Sequence, residues 1–210
     1  MLNYRKKVSE IAKKLYNDGL VAGTSGNVSF LDRENHKIYI TPSNMDYKEM
    51  QETDIVVLDE DGNILEGDHK PSSEWRLHAE VYKHQKRVNS VVHTHSPYAT
   101  GFAINHKEIP LILVEMLPFL GGDIPVAKFG LPGTDDVGIN AAKVLEYRNA
   151  ALLENHGVVA VGETVDQAYI RAVYTEDAAK AYHLASVVGE PICVPEDAAD
   201  ILRKRYNLKR

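Results

Sequence analysis

Ser90-Val91-Val92-His93-Thr94-His95 is the stretch on which both the fold and the chemistry of this chain turn. The apolar run closed by two histidines reads as a strand over residues 90–95. In an extended chain, residues two apart point to the same side, so both imidazoles project together. Imidazole pairs suit zinc and related divalent ions, and a third His with a carboxylate completes a tetrahedral site. The chain supplies Glu74, in Pro71-Ser72-Ser73-Glu74-Trp75, and His156, in Asn155-His156-Gly157. A His-x-His pair alone is incidental in many strands; its weight comes from the segments around it.

On either side of this strand, helical and extended patterns alternate. Val8, Ile11, Ala12 and Leu15 recur at helical spacing, and Gly19 stands where that helix ends. Strands are predicted over residues 27–31, 37–41 and 54–59, with Asp61-Gly62 as a hairpin turn. Residues 72–85 read as a helix capped by Ser72 or Ser73. Residues 134–147 read as another, with Asp135 and Asp136 in the first turn, where the helix dipole favours negative charge. Residues 150–154 and 158–161 form two strands flanking the His156-Gly157 bend. Thr164 and Gln167 make a capping-box pattern opening a helix to about Val188, and a last helix covers residues 195–205. No linker or repeat interrupts the series. The expectation is a single α/β domain over residues 1–210, with helices packed on a largely hairpin-connected sheet.

Bulk composition excludes several classes. A chain of 210 residues buries a substantial core, and 44% hydrophobic with 26% charged residues is ordinary for a globular enzyme. A net charge of −6 without a long basic stretch argues against nucleic acid as partner. The basic cluster Arg203-Lys204-Arg205 with Lys209-Arg210 reads as a solvated helix end. No run approaches the roughly 20 apolar residues of a membrane helix, so no membrane partner is expected. Met1-Leu2-Asn3-Tyr4-Arg5-Lys6-Lys7 leads into an amphipathic pattern and not a signal-peptide core. The lone Cys193 cannot form an internal disulfide, which fits a reducing cytoplasm.

Five segments in order complete the picture: Gly23-Thr24-Ser25-Gly26-Asn27-Val28-Ser29, Thr41-Pro42-Ser43, Pro71-Ser72-Ser73-Glu74-Trp75, His93-Thr94-His95 and Asn155-His156-Gly157. Together they resemble the zinc-dependent class II aldolases of the L-fuculose-1-phosphate aldolase type, within the aldolase and adducin-head superfamily. The resemblance runs from the first helix to Tyr206-Asn207-Leu208. It implies a central, mainly antiparallel sheet with helices on both faces. It also implies reversible cleavage of L-fuculose 1-phosphate, or a similar deoxy-ketose 1-phosphate, to dihydroxyacetone phosphate and L-lactaldehyde or a similar short aldehyde. Zinc would be held by Glu74, His93, His95 and His156. By the same resemblance Glu74 leaves the metal when substrate binds and acts as acid or base at the third carbon. The assembly implied is a homotetramer with active sites at subunit interfaces, and the apolar residues 111–120 are a contact candidate.

For the phosphate, Ser72 and Ser73 precede a helix, where free backbone N–H groups and hydroxyls suit an anion. Gly26, Asn27, Ser43 and Asn44 occupy positions that the resemblance assigns to further phosphate and substrate contacts. Asn44 departs from the family's usual Gly, although Asn tolerates left-handed backbone. His78 shares a helix face with Glu74 at i, i+4 spacing, but is read as packing or support because three other histidines complete the site.

The aldehyde side departs further. The family places a Tyr from a neighbouring subunit soon after the His-x-His strand. Here Ile109-Pro110-Leu111-Ile112-Leu113-Val114-Glu115-Met116 has none. Glu115 is its only titratable group, a candidate acid or base if burial raises its pKa, and otherwise a structural ion pair. Tyr206 resembles the family's C-terminal Tyr, which closes over the neighbouring site. Related methylthioribulose-1-phosphate dehydratases use a Glu in the Glu115 region, but the complete Ser-Ser-Glu segment and Asn155-His156-Gly157 favour an aldolase. Sugar-phosphate epimerases usually carry Asp where Glu74 stands, while sugar-acid phosphate decarboxylases remain open. A non-catalytic structural module of this fold has little reason to keep every ligand. A cupin needs a Glu soon after the histidine pair, and Ser96-Pro97-Tyr98-Ala99-Thr100 lacks one.

Overall fold

The histidine strand lies inside the sheet, paired on both edges. In the computed structural model, which describes residues 3–208, β5 (Ser90–Thr94) lies antiparallel between β1 (Asn27–Asp32) and β8 (Gly157–Gly162). Outward from β1 run β2 (Lys37–Ile40), β3 (Val56–Leu58) and β4 (Ile64–Glu66). Outward from β8 run β7 (Ala150–Leu153) and β6 (Val126–Ala127). The eight strands form one sheet, in which β6 and β7 alone pair parallel. The short β1–β2 connection explains the antiparallel start. His36 turns the chain at φ 54°, and the Asp32 carboxylate accepts from the Glu34 and Asn35 backbone amides.

Period-two alternation along the central strands builds two cores. Val91, Val159 and Val161 pack with Leu77 and Val81 of α2 (Trp75–His84) and with Val137 and Ala141 of α5 (Asp135–Val144). Val92, Val158 and Ala160 face the opposite way. They pack with Val8 and Ile11 of α1 (Tyr4–Asn17), Ala99 of α3 (Pro97–Ile104), Leu120 of α4 (Met116–Leu120) and Ala172 of α6 (Val165–Val188). Each fully buried Val, Leu or Ile contributes about 1.5–3 kcal/mol, and a one-residue slip would exchange the two faces. Helices therefore cover both sides of a mainly antiparallel sheet, as expected. α7 (Glu196–Tyr206) closes the described chain.

Several boundaries differ from the sequence reading. The helix expected from residue 72 begins at Trp75, with Glu74 at its N-cap and no side-chain cap. Ser72 instead forms a turn before the helix, its hydroxyl accepting the Glu74 backbone amide at 3.3 Å. Thr164 caps α6 by accepting from the Gln167 amide, but Gln167 reaches back to the Glu163 amide, so the reciprocal box is displaced by one residue. The strand read over 54–59 narrows to β3, after a 3-10 turn at Glu52–Asp54, and α5 ends at Val144. α3, α4 and β6 had no counterpart in the periodicity, while β4 pairs antiparallel with β3 across the Asp61-Gly62 turn, as the hairpin reading implied. Arg203 is tied to Glu196 and Asp200 at 2.7 and 2.9 Å. Met1, Leu2, Lys209 and Arg210 lie outside the described residues. Among the described residues, no helix is long and apolar enough to cross a membrane.

Candidate active site

Register alone brings the three histidines together. His93 pairs with Asn27 of β1 and Val159 of β8, and Thr94 pairs with Val158, so His95 and His156 lie at the same end of adjacent strands. Glu74 approaches from the turn before α2. His93 Nε2 is 2.9 Å from His95 Nε2 and 3.2 Å from Glu74 Oε2, and His156 Nε2 is 3.1 Å from Glu74 Oε1. Among the described residues these four offer donor atoms that all lie within 4.8 Å of one another. His93 is 0% exposed, and the Glu74 and His156 side chains only 12% and 11%, so the group is largely shielded from water.

The local backbone is specialised for this convergence. A Cβ on Gly157 would meet the Thr94 carbonyl oxygen at 2.3 Å and the His95 and His93 rings at 3.1 and 3.4 Å. Only glycine lets β8 start so close to the ligand strand. Asn155 adopts φ 54°; its amide donates to the Ala103 carbonyl, and His106 Nε2 lies 2.6 Å from its Oδ1. At the other end of α3, the Glu176 carboxylate accepts the Tyr98 and Ala99 amides at 2.9 Å each. α3 is thus held at its start, beside His95, and at its end, beside the His156 turn. Neither Glu176 nor His106 stood out in the sequence, since nothing local links them to residues so far along the chain.

Electrostatics set one carboxylate anion among the three imidazoles. Burial opposes ionisation of Glu74, yet His93 and His156 hold its carboxyl well below the usual range. Burial, with His93 and His156 nearby, pushes His95 down to about 4. For His93 burial works against the cation, but Glu74 and the Val158 carbonyl outweigh it and its pKa is raised. His93 Nδ1 donates to that carbonyl at 2.8 Å, leaving Nε2 as a bare lone pair facing His95 Nε2. Glu74 Oε1 is buried with no hydrogen-bond partner. The His93 Nε2 lone pair, the facing His95 Nε2 and an unpartnered carboxylate oxygen are donors suited to one divalent cation. The residues present fit a metal ion.

The expected phosphate loops run side by side. Pro42 bridges Pro71, the Ser43 amide donates to the Lys70 carbonyl, and the Ser72 amide donates to the Thr41 carbonyl. Ser43 and Asn44 therefore lie next to Ser72 and Ser73, and Asn44 takes φ 57°, the left-handed turn its type tolerates. Gly26, at φ 78°, packs where a Cβ would meet Val21 at 2.5 Å and the His93 carbonyl oxygen at 2.8 Å. Asn27 is buried, with Nδ2 donating to Glu74 Oε2 at 3.0 Å and Oδ1 against His78 Nε2 at 2.5 Å. Glu115, half-buried, is the N-cap of α4, and Tyr206 ends α7 at 44% exposure. Neither belongs to the group formed by Glu74 and the histidines.

Comparison with known proteins gives consistent matches. The family model for the class II aldolase and adducin N-terminal domain matches residues 6–183. A 5-deoxy-D-ribulose 1-phosphate aldolase from Bacillus thuringiensis is 35% identical, covering 96% of this chain and 94% of that protein. A 5-methylthioribulose-1-phosphate/5-deoxyribulose-1-phosphate aldolase from Rhodospirillum rubrum is 32% identical, covering 96% and 90%. A solved structure of an L-fuculose 1-phosphate aldolase superposes with TM-score 0.92 at 35% identity, covering 99% of this chain and 98% of that one.

Proposed function

We propose, on the premise that this chain belongs to the class II aldolase family as a carbon–carbon lyase of the fuculose-phosphate aldolase type, that it cleaves a deoxy-ketose 1-phosphate to dihydroxyacetone phosphate and a short aldehyde. The convergence of Glu74 with His93, His95 and His156 carries this reading. The sequence put L-fuculose 1-phosphate first. The names of two relatives that cover 96% of the chain move 5-deoxyribulose 1-phosphate, which would yield acetaldehyde, to the front.

A divalent cation held by Glu74, His93, His95 and His156, which we take to be zinc, supplies the positive charge that draws the electrons of the broken bond toward the substrate ketone. Neutral histidines preserve that charge. Glu74 transfers the proton at the third carbon, giving it on cleavage and removing it on condensation. Its unpartnered Oε1 is the atom for this step, while Asn27 holds Oε2. Ser72 and Ser73, with Gly26, Ser43 and Asn44, receive the phosphate, while the Asn27 side chain expected there is turned inward to Glu74 and His78. The single step from Ser73 to Glu74 keeps that cradle about one three-carbon unit from the reacting carbon. Tyr206 or Glu115 of a neighbouring subunit in a homotetramer handles the hydroxyl proton on the aldehyde side. The setting proposed is the cytoplasm.

The test is release of dihydroxyacetone phosphate from each ketose phosphate by the zinc-loaded protein, read with a coupled reductase. Turnover abolished by chelation and by Glu74→Gln supports the reading. A folded, zinc-loaded protein that cleaves neither compound overturns it. Water loss from 5-methylthioribulose 1-phosphate, without cleavage, would replace it with the dehydratase reading that Glu115 favours.

A further inference from the structure

We propose that Tyr82, Ser29, His78 and Asn27 form a one-way hydrogen-bond chain that fixes the Glu74 carboxylate, making His78 a positioning residue for the proton step. The inference rests on the reading of Glu74 as proton carrier. All four residues are buried, at 0–3% exposure, and come from two elements: β1, its first residue Asn27 included, and the inner face of α2.

Donor and acceptor chemistry sets the direction. An ionised carboxylate only accepts, so Asn27 turns its amide nitrogen to Glu74 Oε2, at 3.0 Å. Its amide oxygen then faces His78 Nε2 at 2.5 Å, and that nitrogen must carry the proton. His78 Nδ1 is consequently an acceptor, filled by the Ser29 hydroxyl at 2.6 Å. Ser29 Oγ in turn accepts from the Tyr82 hydroxyl at 2.5 Å. Ser29 is itself anchored, because the Ser90 hydroxyl donates to its carbonyl at 2.9 Å. Every donor has one place to go.

Both His78 nitrogens are committed within this chain, so His78 is not a spare ligand. The consequence falls on Glu74. A carboxylate that leaves the metal to carry a proton needs one oxygen anchored while the other stays free to react. The Asn27 amide provides this by holding Oε2 alone, and it cannot rotate without breaking its bond to His78. A network that merely tied α2 to β1 would have no need to end on the reactive carboxylate.

His78→Leu removes the donor, whereas His78→Gln keeps an N–H near the position of Nε2. We expect His78→Leu to lower kcat about 10- to 100-fold with KM within about twofold, and His78→Gln to recover most of the loss. Wild-type kcat in His78→Leu, or a Gln variant no better than Leu, would overturn the proposal. Histidine ¹⁵N NMR of the unmutated, zinc-loaded protein supplies a readout that needs neither variant nor substrate. His78 should show a protonated Nε2 and a bare Nδ1; the opposite tautomer would overturn the chain. This signal is legible even if no ketose phosphate is cleaved, so failure of the aldolase reading and failure of this inference are separate results.

Discussion

The proposed mechanism gives Glu74 two tasks, and its two oxygens stand in different surroundings. Oε2 is held by the Asn27 amide and lies 3.2 Å from His93 Nε2, while Oε1 faces His156 without a hydrogen bond. Glu74→Gln keeps the shape and one acceptor but lacks a basic oxygen. Under the proposed mechanism kcat falls about 10²- to 10⁴-fold, and the deficit persists at saturating zinc. Bound zinc per chain, measured beside kcat over a zinc titration, checks this; turnover restored by excess zinc would leave Glu74 as a ligand only. The four residues were legible in the sequence because residue type and spacing are local properties. The inward commitment of Asn27 was not, since its partner His78 lies 51 positions away on another element.

Elements were legible wherever burial leaves a pattern, on one face of a helix or on both faces of a central strand. α1 and α2 showed their helical spacing, and β5 and β8 their apolar runs, because burial imposes those patterns. α3 is apolar all around, and α4 spans five residues, so neither carries a usable period. The missed α3 is nonetheless what connects the ligand segments. Glu176→Ala removes the acceptor for two amides at its start and should destabilise the fold by about 1–2 kcal/mol, read as a lower denaturant midpoint at unchanged slope. Gly157→Ala acts at the other segment. Its methyl group would press on the Thr94 carbonyl oxygen and both histidine rings, costing about 1–3 kcal/mol. Because that strain displaces His95 and His156, zinc affinity should fall along with stability. A Gly157→Ala protein that binds zinc like the parent would show that the β8 start tolerates a wider approach than the structure implies.

At the scale of the molecule, several large apolar side chains are exposed along the last two helices and the segment between them. Val187, Val188, Ile192 and Ile201 are 67–90% exposed, on the last turn of α6, the segment after it and α7, and Tyr206 follows on the same helix. In the proposed homo-oligomer the C-terminal helix, which carries Ile201 and Tyr206, completes a neighbouring site. The arrangement makes a prediction that no single-chain mechanism shares. Glu74→Gln and Tyr206→Phe chains should each be strongly impaired alone, one lacking the proton carrier and the other the aldehyde-side hydroxyl. When the two are co-refolded at equal amounts, about a quarter of the interfaces pair an intact Glu74 with an intact Tyr206 from the other chain. Cleavage activity should therefore rise toward about a quarter of the unmutated level, and only after subunits have exchanged. If Tyr206 instead served the site of its own chain, mixing would restore nothing, and the active site would be complete within one protomer.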